Sequence, residues 1–195
     1  MTTIGFIRHG ITEWNVLGKA QGISDIPLNN TGKEQALALG NRLQNKDRWD
    51  FLISSDLSRA YETAKIISDL LHLPVHLDKR IREIHCGKIE GTTEEERINT
   101  WGENWRELDL GMEKYEEVAK RGIEFLEYMT AKHKDKKVLI VSHGALIGLT
   151  LQHLLPEKFP TTYIDNASFT ILEKTNNRWK CPLYNCTAHF LKTGV

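Results

Sequence analysis

The sequence predicts an α/β fold, a doubly wound and mostly parallel sheet with helices on both faces and a lid segment over the C-terminal edge of the strands. Short apolar runs alternate along the chain with segments of helical periodicity, which is the pattern of this fold class. One apolar run is followed by Arg8-His9-Gly10 and a distant one by His143-Gly144. Ligands bind at the carboxyl edge of such sheets, so these two strand ends indicate a shared site.

The first half of the chain predicts three strands and two helices. Residues 3–7 form a buried strand, and the capping-box sequence at residues 31–34 opens a helix. Residues 51–54 form the second strand. A helix with an apolar stripe begins at about Ser58 and stops near Pro74, and a weaker third strand follows it.

The second half begins with an aperiodic stretch, residues 85–113, which we interpret as the lid segment. Within it, Thr92-Thr93-Glu94-Glu95 is able to cap a short helix. The later elements are a long amphipathic helix over 115–129, a strand over 138–142, a helix over 145–155, and a closing hairpin of 169–172 and 179–184 that turns at Asn176-Asn177.

Size and charge narrow the class of protein. The 195 residues contain no repeat or linker-like stretch, so we expect a single domain over residues 1–195. Lys plus Arg and Asp plus Glu both number 26, which leaves no overall field to attract a nucleic acid or a membrane surface. No apolar stretch approaches the roughly 20 residues that a membrane span needs. Any attraction for an acidic ligand must be local.

The cysteines and the start of the chain predict a cytoplasmic protein. The first strand begins almost directly after Met1, so we expect no signal peptide. Three cysteines, Cys86, Cys181 and Cys186, are too few for a disulfide framework. Together with His189 they suggest a metal site, but the spacing lacks the two-residue gap of zinc knuckles. We expect packed thiols and no metal.

Five residues at predicted strand and helix ends have the chemistry of phosphoryl transfer. Arg8 and Arg59 offer rigid forks for phosphate oxygens, and Arg59 lies in the first turn of its helix. His9 and His143 offer a nucleophile and a donor, and Glu83 offers a proton carrier. Each alone has an ordinary alternative, since a strand-end histidine is often structural and an arginine is often a solvated surface residue.

The motifs around these residues follow one another in an order that is found in a known protein family. They are Arg8-His9-Gly10-Ile11-Thr12-Glu13-Trp14-Asn15, Gln21-Gly22, Asp25-Ile26-Pro27-Leu28, Thr31-Gly32-Lys33-Glu34-Gln35-Ala36, Ser54-Ser55-Asp56-Leu57-Ser58-Arg59-Ala60, Thr63-Ala64, Arg82-Glu83-Ile84-His85-Cys86-Gly87-Lys88-Ile89-Glu90-Gly91, Val141-Ser142-His143-Gly144 and Asn166-Ala167-Ser168. With these motifs the sequence resembles the histidine phosphatase superfamily, the phosphoglycerate mutase-like enzymes, over most of its length.

The resemblance implies a role for each matched residue. His9 would be the nucleophile that becomes phosphohistidine. Arg8, Arg59 and His143 would hold the phosphoryl oxygens, with help from Asn15.

The remaining implied roles concern the leaving group and the substrate mouth. Glu83 would act as an acid toward the leaving group and then as a base toward water, and Gln21 and Gly22 would line the mouth. Such enzymes need no metal or nucleotide, so we expect no cofactor. The chain departs from the family pattern in or next to the lid segment, with Lys114 in place of a serine and Ile89 in place of an aromatic residue. These departures leave the chemistry intact and the substrate open.

The charge of the lid segment favours a hydrolase over a mutase. Residues 92–113 contain seven acids but only two bases, Arg97 and Arg106. Such an acidic lid is poorly suited to the several negative charges of the doubly phosphorylated molecule that a mutase must hold. Trp101 and Trp105 either form an apolar wall for an alcohol leaving group or pack within the lid segment. We therefore expect a phosphatase acting on a small phosphorylated metabolite, as a monomer or homodimer. The alternatives are a cofactor-dependent phosphoglycerate mutase and a non-catalytic phosphate-ester-binding regulator.

Overall fold

One mixed sheet of six strands organises the computed structural model, which describes residues 1–45, 48–176 and 178–190. The order across the sheet is β3-β2-β4-β1-β5-β6, with the first four strands parallel and the last two antiparallel to their neighbours. The predicted fold class is confirmed. The strands are β1 (Thr2–Arg8), β2 (Phe51–Ser54), β3 (Val75–Leu77), β4 (Lys137–Ser142), β5 (Phe169–Thr175) and β6 (Arg178–Cys186).

Helices cover both faces of this sheet. The α-helices are α1 (Glu13–Val16), α2 (Asn30–Gln44), α3 (Ser58–Leu71), α4 (Glu94–Trp101), α5 (Tyr115–Lys132) and α6 (Gly144–Leu154). Three 3₁₀ turns occupy Lys79–Ile81, Gly87–Ile89 and Trp105–Glu107. None of the helices in the described ranges is long and apolar enough to cross a membrane.

Strand β4 shows how alternate residues feed two cores. Val138 and Ile140 pack into one cluster with α5 and α6, whereas Leu139 and Val141 pack into the other with α2 and α3. The closing hairpin of β5 and β6 forms as predicted. Of its predicted turn, Asn177 lies outside the described residues.

The start of α2 differs from the prediction of a capping box at residues 31–34. The helix begins at Asn30, and the Asn29 side chain accepts a hydrogen bond of 2.9 Å from the Gly32 amide. A Cβ atom on Gly32 would lie 2.1 Å from the Ile11 carbonyl oxygen, so α2 begins in direct backbone contact with the loop after β1. Asn29 caps the helix because tertiary contact fixes its first turn there.

The lid segment is packed rather than detached. Its short helix α4 forms as predicted, with a capping box between Thr93 and Glu96. Cys86, Ile89 and Leu110 are buried in the core cluster that also contains α5 and α6. The segment therefore folds onto the main body through an apolar underside.

Both tryptophans of the lid segment, Trp101 and Trp105, pack against the core. Trp105 is buried, its indole Nε1 donates to Glu94 over 3.0 Å, and the guanidinium carbons of Arg97 and Arg106 lie 5.1 and 4.3 Å from its ring centroid. Trp101 is partly buried against the same core cluster. Of the two alternatives for these residues, the structure favours packing.

Candidate active site

His9 follows β1 and is 2% exposed. Its Nδ1 lies 2.7 Å from the Gly10 carbonyl oxygen, an acceptor only, so Nδ1 carries the proton and Nε2 keeps its lone pair. The Gly10 amide in turn donates to the Thr63 hydroxyl over 3.0 Å. Burial, followed by the charges of Arg59 and Arg8, lowers the pKa of His9 well below its ordinary value. A neutral imidazole with a free Nε2 is the form that attacks phosphorus.

His143 meets His9 because β1 and β4 are parallel neighbours with Arg8 opposite Ser142. It is the N-cap residue of α6, fully buried, with its ring centroid 5.2 Å from that of His9. Desolvation and then the charge of Arg59 lower the pKa of His143 well below its ordinary value. Neither ring nitrogen has a hydrogen-bond partner among the described residues.

Two arginines bring positive charge to the histidines. Arg8 donates through Nη1 to the Ile164 carbonyl, and Arg59 donates to the carbonyls of Gly22 and Ser24 over 2.7 and 2.8 Å. Within the described ranges, the buried Nε atoms of both arginines have no acceptor. Burial lowers the pKa of each guanidinium, and the carboxylate of Glu83 opposes that shift.

Glu83 lies at the amino end of α6. Its carboxylate accepts hydrogen bonds from the amides of Ile84 at 3.0 Å and of Ala145 and Leu146 at 3.2 Å. The first-turn amides of a helix favour an acceptor of this kind. Because His143 caps the same helix, α6 places the proposed proton carrier beside the histidines.

Asn15 lies in α1 and closes a capping box with Thr12. Its amide oxygen accepts from the Thr12 amide at 3.1 Å and from the Asn166 side chain at 3.2 Å. Asn166 also donates to the backbone carbonyl of His9 over 3.1 Å. A ligand would therefore meet the NH₂ end of Asn15, and Asn166 connects α1 to the nucleophile loop.

Gln21 and Gly22 lie on the Arg59 side of the site. Gln21 is buried and accepts from the Thr12 hydroxyl over 3.0 Å. Gly22 has a φ of +51°, and a Cβ atom there would lie 2.1 Å from a carboxylate oxygen of Glu90. Glu90 also accepts from the amides of Ile23 and Ser24. Glu90 thus fixes the loop whose carbonyls, at Gly22 and Ser24, accept hydrogen bonds from Arg59. This role is separate from the predicted one, in which Gln21 and Gly22 line the mouth of the substrate site.

A cavity of about 420 Å³ opens beside Arg8 and Glu83. Those two are its only lysine, arginine, aspartate or glutamate side chains, and the rest of the wall is apolar or neutral polar. Cys86 and Met112 bring the lid segment to this edge of the sheet, as predicted. The full lining is Arg8, Glu83, Ile84, Cys86, Met112, Tyr115, Gly144, Ala145, Gly148, Leu149, Gln152, Thr162, Tyr163 and Ile164.

The structure thus brings together Arg8, His9, Arg59, Glu83 and His143. Sequence reasoning assigned no role to Thr63, Glu90 or Asn166, although all three fall in the matched motifs and each orients a residue of the site. Within the described ranges, no group of three or more His, Cys, Asp or Glu side chains has a metal-binding arrangement. None of the three cysteines, all of which lie within the described residues, forms a disulfide.

Comparison with known proteins shows the same family. The model of the histidine phosphatase superfamily (branch 1) matches residues 4–187. The uncharacterized phosphatase PhoE of Bacillus subtilis is 36% identical, with 97% of each chain covered. A phosphoserine phosphatase mutant of Entamoeba histolytica in complex with phosphoserine superposes with a TM-score of 0.83 and 30% identity, over 97% of this chain and 99% of that one. A probable phosphoglycerate mutase, GpmB of Yersinia enterocolitica, is 31% identical, with 92% of this chain and 88% of that one covered.

A mixed sheet that brings two histidines and two arginines together at its carboxyl edge is typical of a phosphoryl-transfer enzyme. The chain belongs to the histidine phosphatase superfamily, branch 1. The predicted class, a phosphatase of this superfamily, is confirmed.

Proposed function

We propose that this protein hydrolyses small-molecule phosphomonoesters through a phosphohistidine at His9. The Nε2 of His9 attacks phosphorus, the bond from phosphorus to the alcohol oxygen breaks, and Glu83 gives that oxygen its proton. Water then attacks the phosphohistidine and passes a proton to Glu83, and the N–P bond breaks. Inorganic phosphate leaves and His9 is regenerated.

The observation that carries this proposal is the set of unpartnered polar atoms around His9. They are the Nε atoms of Arg8 and Arg59 and both ring nitrogens of His143, all buried and without a partner in the part of the chain that the structure describes. A buried donor without an acceptor costs free energy, and phosphoryl oxygens would supply acceptors to the two arginine Nε–H groups and to the one protonated nitrogen of the neutral His143 ring. The arginine charges would stabilise the negative charge that the transferred group carries in the transition state.

The charges around the cavity support water as the acceptor of the phosphoryl group. A mutase has to hold a second phosphorylated molecule, which calls for cations beyond the two arginines of the phosphate pocket. The two bases of residues 92–113 are engaged elsewhere, since Arg97 contacts Thr92 and Glu94, and Arg106 contacts Glu94. The cavity beside Glu83 therefore suits the alcohol of a single phosphomonoester.

Trapping of the covalent intermediate tests the proposal. Protein mixed with a ³²P-labelled phosphomonoester and quenched in base should retain a label that is stable to base and labile to acid. His9→Ala should retain none and should lose roughly four or more orders of magnitude in turnover. The control is His153→Ala, which removes an exposed histidine of α6 and should label as the wild type does. Label retained by His9→Ala would contradict the proposal.

A second assay separates hydrolysis from transfer. Incubation with 3-phosphoglycerate, with and without a bisphosphoglycerate primer, should release phosphate at a rate independent of the primer. Primer-dependent interconversion of phosphoglycerates that is faster than phosphate release would establish the mutase alternative.

A further inference from the structure

Arg121 of α5 binds the backbone of the segment that carries Glu83. Its Nη1 donates to the carbonyls of Arg80 at 2.9 Å and Arg82 at 2.6 Å, and its Nη2 donates to the Glu83 carbonyl at 3.0 Å. The same guanidinium forms a two-pronged pair with Glu113, from Nε at 2.8 Å and Nη2 at 3.0 Å. All five donors of the guanidinium are thus used, and its side chain is only 22% exposed.

The Glu83 segment depends on such anchors because it belongs to no strand. The 3₁₀ turn Lys79–Ile81 ends just before Arg82, and the chain then runs irregularly into the lid segment. The carboxylate of Glu83 is held by amides of α6, whereas its backbone carbonyl is held by Arg121. The two contacts fix opposite ends of the residue and therefore the direction in which its side chain leaves the backbone.

Glu113 extends this contact to the lid segment. Its amide donates to the His85 carbonyl over 2.8 Å, and its carboxylate accepts from the His85 amide over 3.1 Å. Both ends of the lid segment therefore meet at Glu113. Desolvation opposes the ionisation of Glu113, but the hydrogen bonds from Arg121 and the His85 amide outweigh it and lower its pKa. Arg121 thus faces a carboxylate on one side and three carbonyls on the other.

We propose that Arg121 is a positioning residue for Glu83, which it joins through Glu113 to both ends of the lid segment. This inference rests on the proposed function, because it gives Arg121 a role in protonating the leaving group. Arg121 is absent from the wall of this cavity, and it reaches the proposed proton carrier through the hydrogen bond from its Nη2 to the Glu83 carbonyl. Loss of the guanidinium should therefore impair the step that needs a proton and spare the step that does not.

The test compares two substrates in two backgrounds. Phenethyl phosphate has a poor alkoxide leaving group that needs the proton, whereas the 4-nitrophenolate of 4-nitrophenyl phosphate leaves largely unaided. We expect Arg121→Met to lower kcat/KM for phenethyl phosphate by about 10- to 100-fold and for 4-nitrophenyl phosphate by less than about threefold. In a Glu83→Gln background, Arg121→Met should cause less than about a twofold further loss on phenethyl phosphate, because residues that act through one another are not additive.

Two further variants separate position from charge and from folding. Arg121→Lys keeps the charge but lacks the planar fork, so it should show the same selective loss for phenethyl phosphate. It also provides a folded variant if Arg121→Met is unstable. Arg106→Met removes an exposed lid arginine that pairs with Glu94 and should leave the ratio of the two substrates unchanged.

Several outcomes would overturn the inference. They are equal losses on both substrates, full restoration by Arg121→Lys, or the same loss from Arg121→Met with and without Glu83. A wild-type protein that hydrolyses neither ester, or one that remains active after His9→Ala, would instead refute the proposed function, and the inference would fall with it. The wild-type measurement therefore distinguishes the two failures.

Discussion

The phosphate side of the site and its alcohol side are built in contrasting ways. His9, Arg59 and His143 are at most 2% exposed and lie at the ends of strands or in the first turns of helices. The alcohol side is formed in part by the irregular lid segment and by exposed side chains such as Tyr115 and Tyr163. In the proposed mechanism the chemistry depends on groups held by the sheet and its helices, and we expect the choice of substrate to depend on the more exposed surface.

The largest effect should come from breaking the phosphate side. We expect Arg59→Met and His143→Gln each to lower kcat by roughly two to three orders of magnitude, since each removes or displaces a proposed donor to the transferred group. The double variant should lose less than the product of the two, because both act on one charge. Steady-state kinetics on 4-nitrophenyl phosphate would measure this, and strict multiplicativity would show that the two residues act separately.

Two glycine-to-alanine variants compare the two sides of the site, because both glycines have a positive φ that strains an alanine in a similar way. Gly22 and Gly111 have φ values of +51° and +73°, but only a Cβ on Gly22 meets another atom, the Glu90 carboxylate. Gly22→Ala should destabilise the fold by about 1–3 kcal/mol and raise KM by shifting the loop that holds Arg59. Gly111→Ala should cost only about 1 kcal/mol, with kinetics near those of the wild type. Urea unfolding and KM measurements on both would check this, and a KM change confined to Gly111→Ala would contradict the contrast.

The buried histidines should make stability depend on pH. The pKa values of His9 and His143 are lowered on folding, so the folded state binds fewer protons than the unfolded state. The free energy of unfolding should therefore fall below about pH 6.5, by about 1.4 kcal/mol per pH unit for each of them.

Urea unfolding of the wild type and of His143→Gln from pH 7.5 to 5 would measure this dependence. The variant should show a shallower slope, with a remainder from His9, His133 and His189, whose pKa values are also lowered. The exposed residue His153 provides a control, and His153→Gln should keep the full slope. An unchanged slope in His143→Gln would mean that folding does not lower the pKa of His143.

The smallest effect should come from the outer face of the lid segment. Arg106 is 63% exposed and lies over Trp105. Arg106→Ala should cost about 0.5–1 kcal/mol from the lost cation–π contact and change kcat/KM by less than about twofold. Thermal unfolding and kinetics would show it. A tenfold loss of kcat/KM would place this face of the lid segment in contact with the substrate and weaken the contrast between the two sides.

The two sides also differ in how far the sequence predicts them. Arg8, His9 and His143 were predictable because apolar runs identify parallel strands and parallel strands share a carboxyl edge. The contact of Glu83 with the start of α6 and the contact of Arg121 with residues 80–83 have no periodic signal, since they join irregular chain to distant helices.

The start of α2 was predicted wrongly for a related reason. The capping-box sequence at residues 31–34 is a local signal, and the approach of Gly32 to Ile11 overrides it. That approach depends on the chain folding back over about twenty residues. Local sequence patterns therefore fail where backbone segments touch, and at this position the contact also supports the loop after His9.

The two borders of the sheet bear on how the protein behaves when concentrated. Strand β3 offers only three residues, and β6 carries Pro182 and is paired with β5 through two register shifts. A proline has no amide to donate, and an irregular or very short border gives an incoming strand little to align with. Edge-to-edge pairing between the sheets of folded molecules is thereby disfavoured. The two edge strands therefore add little tendency to aggregate at high protein concentration.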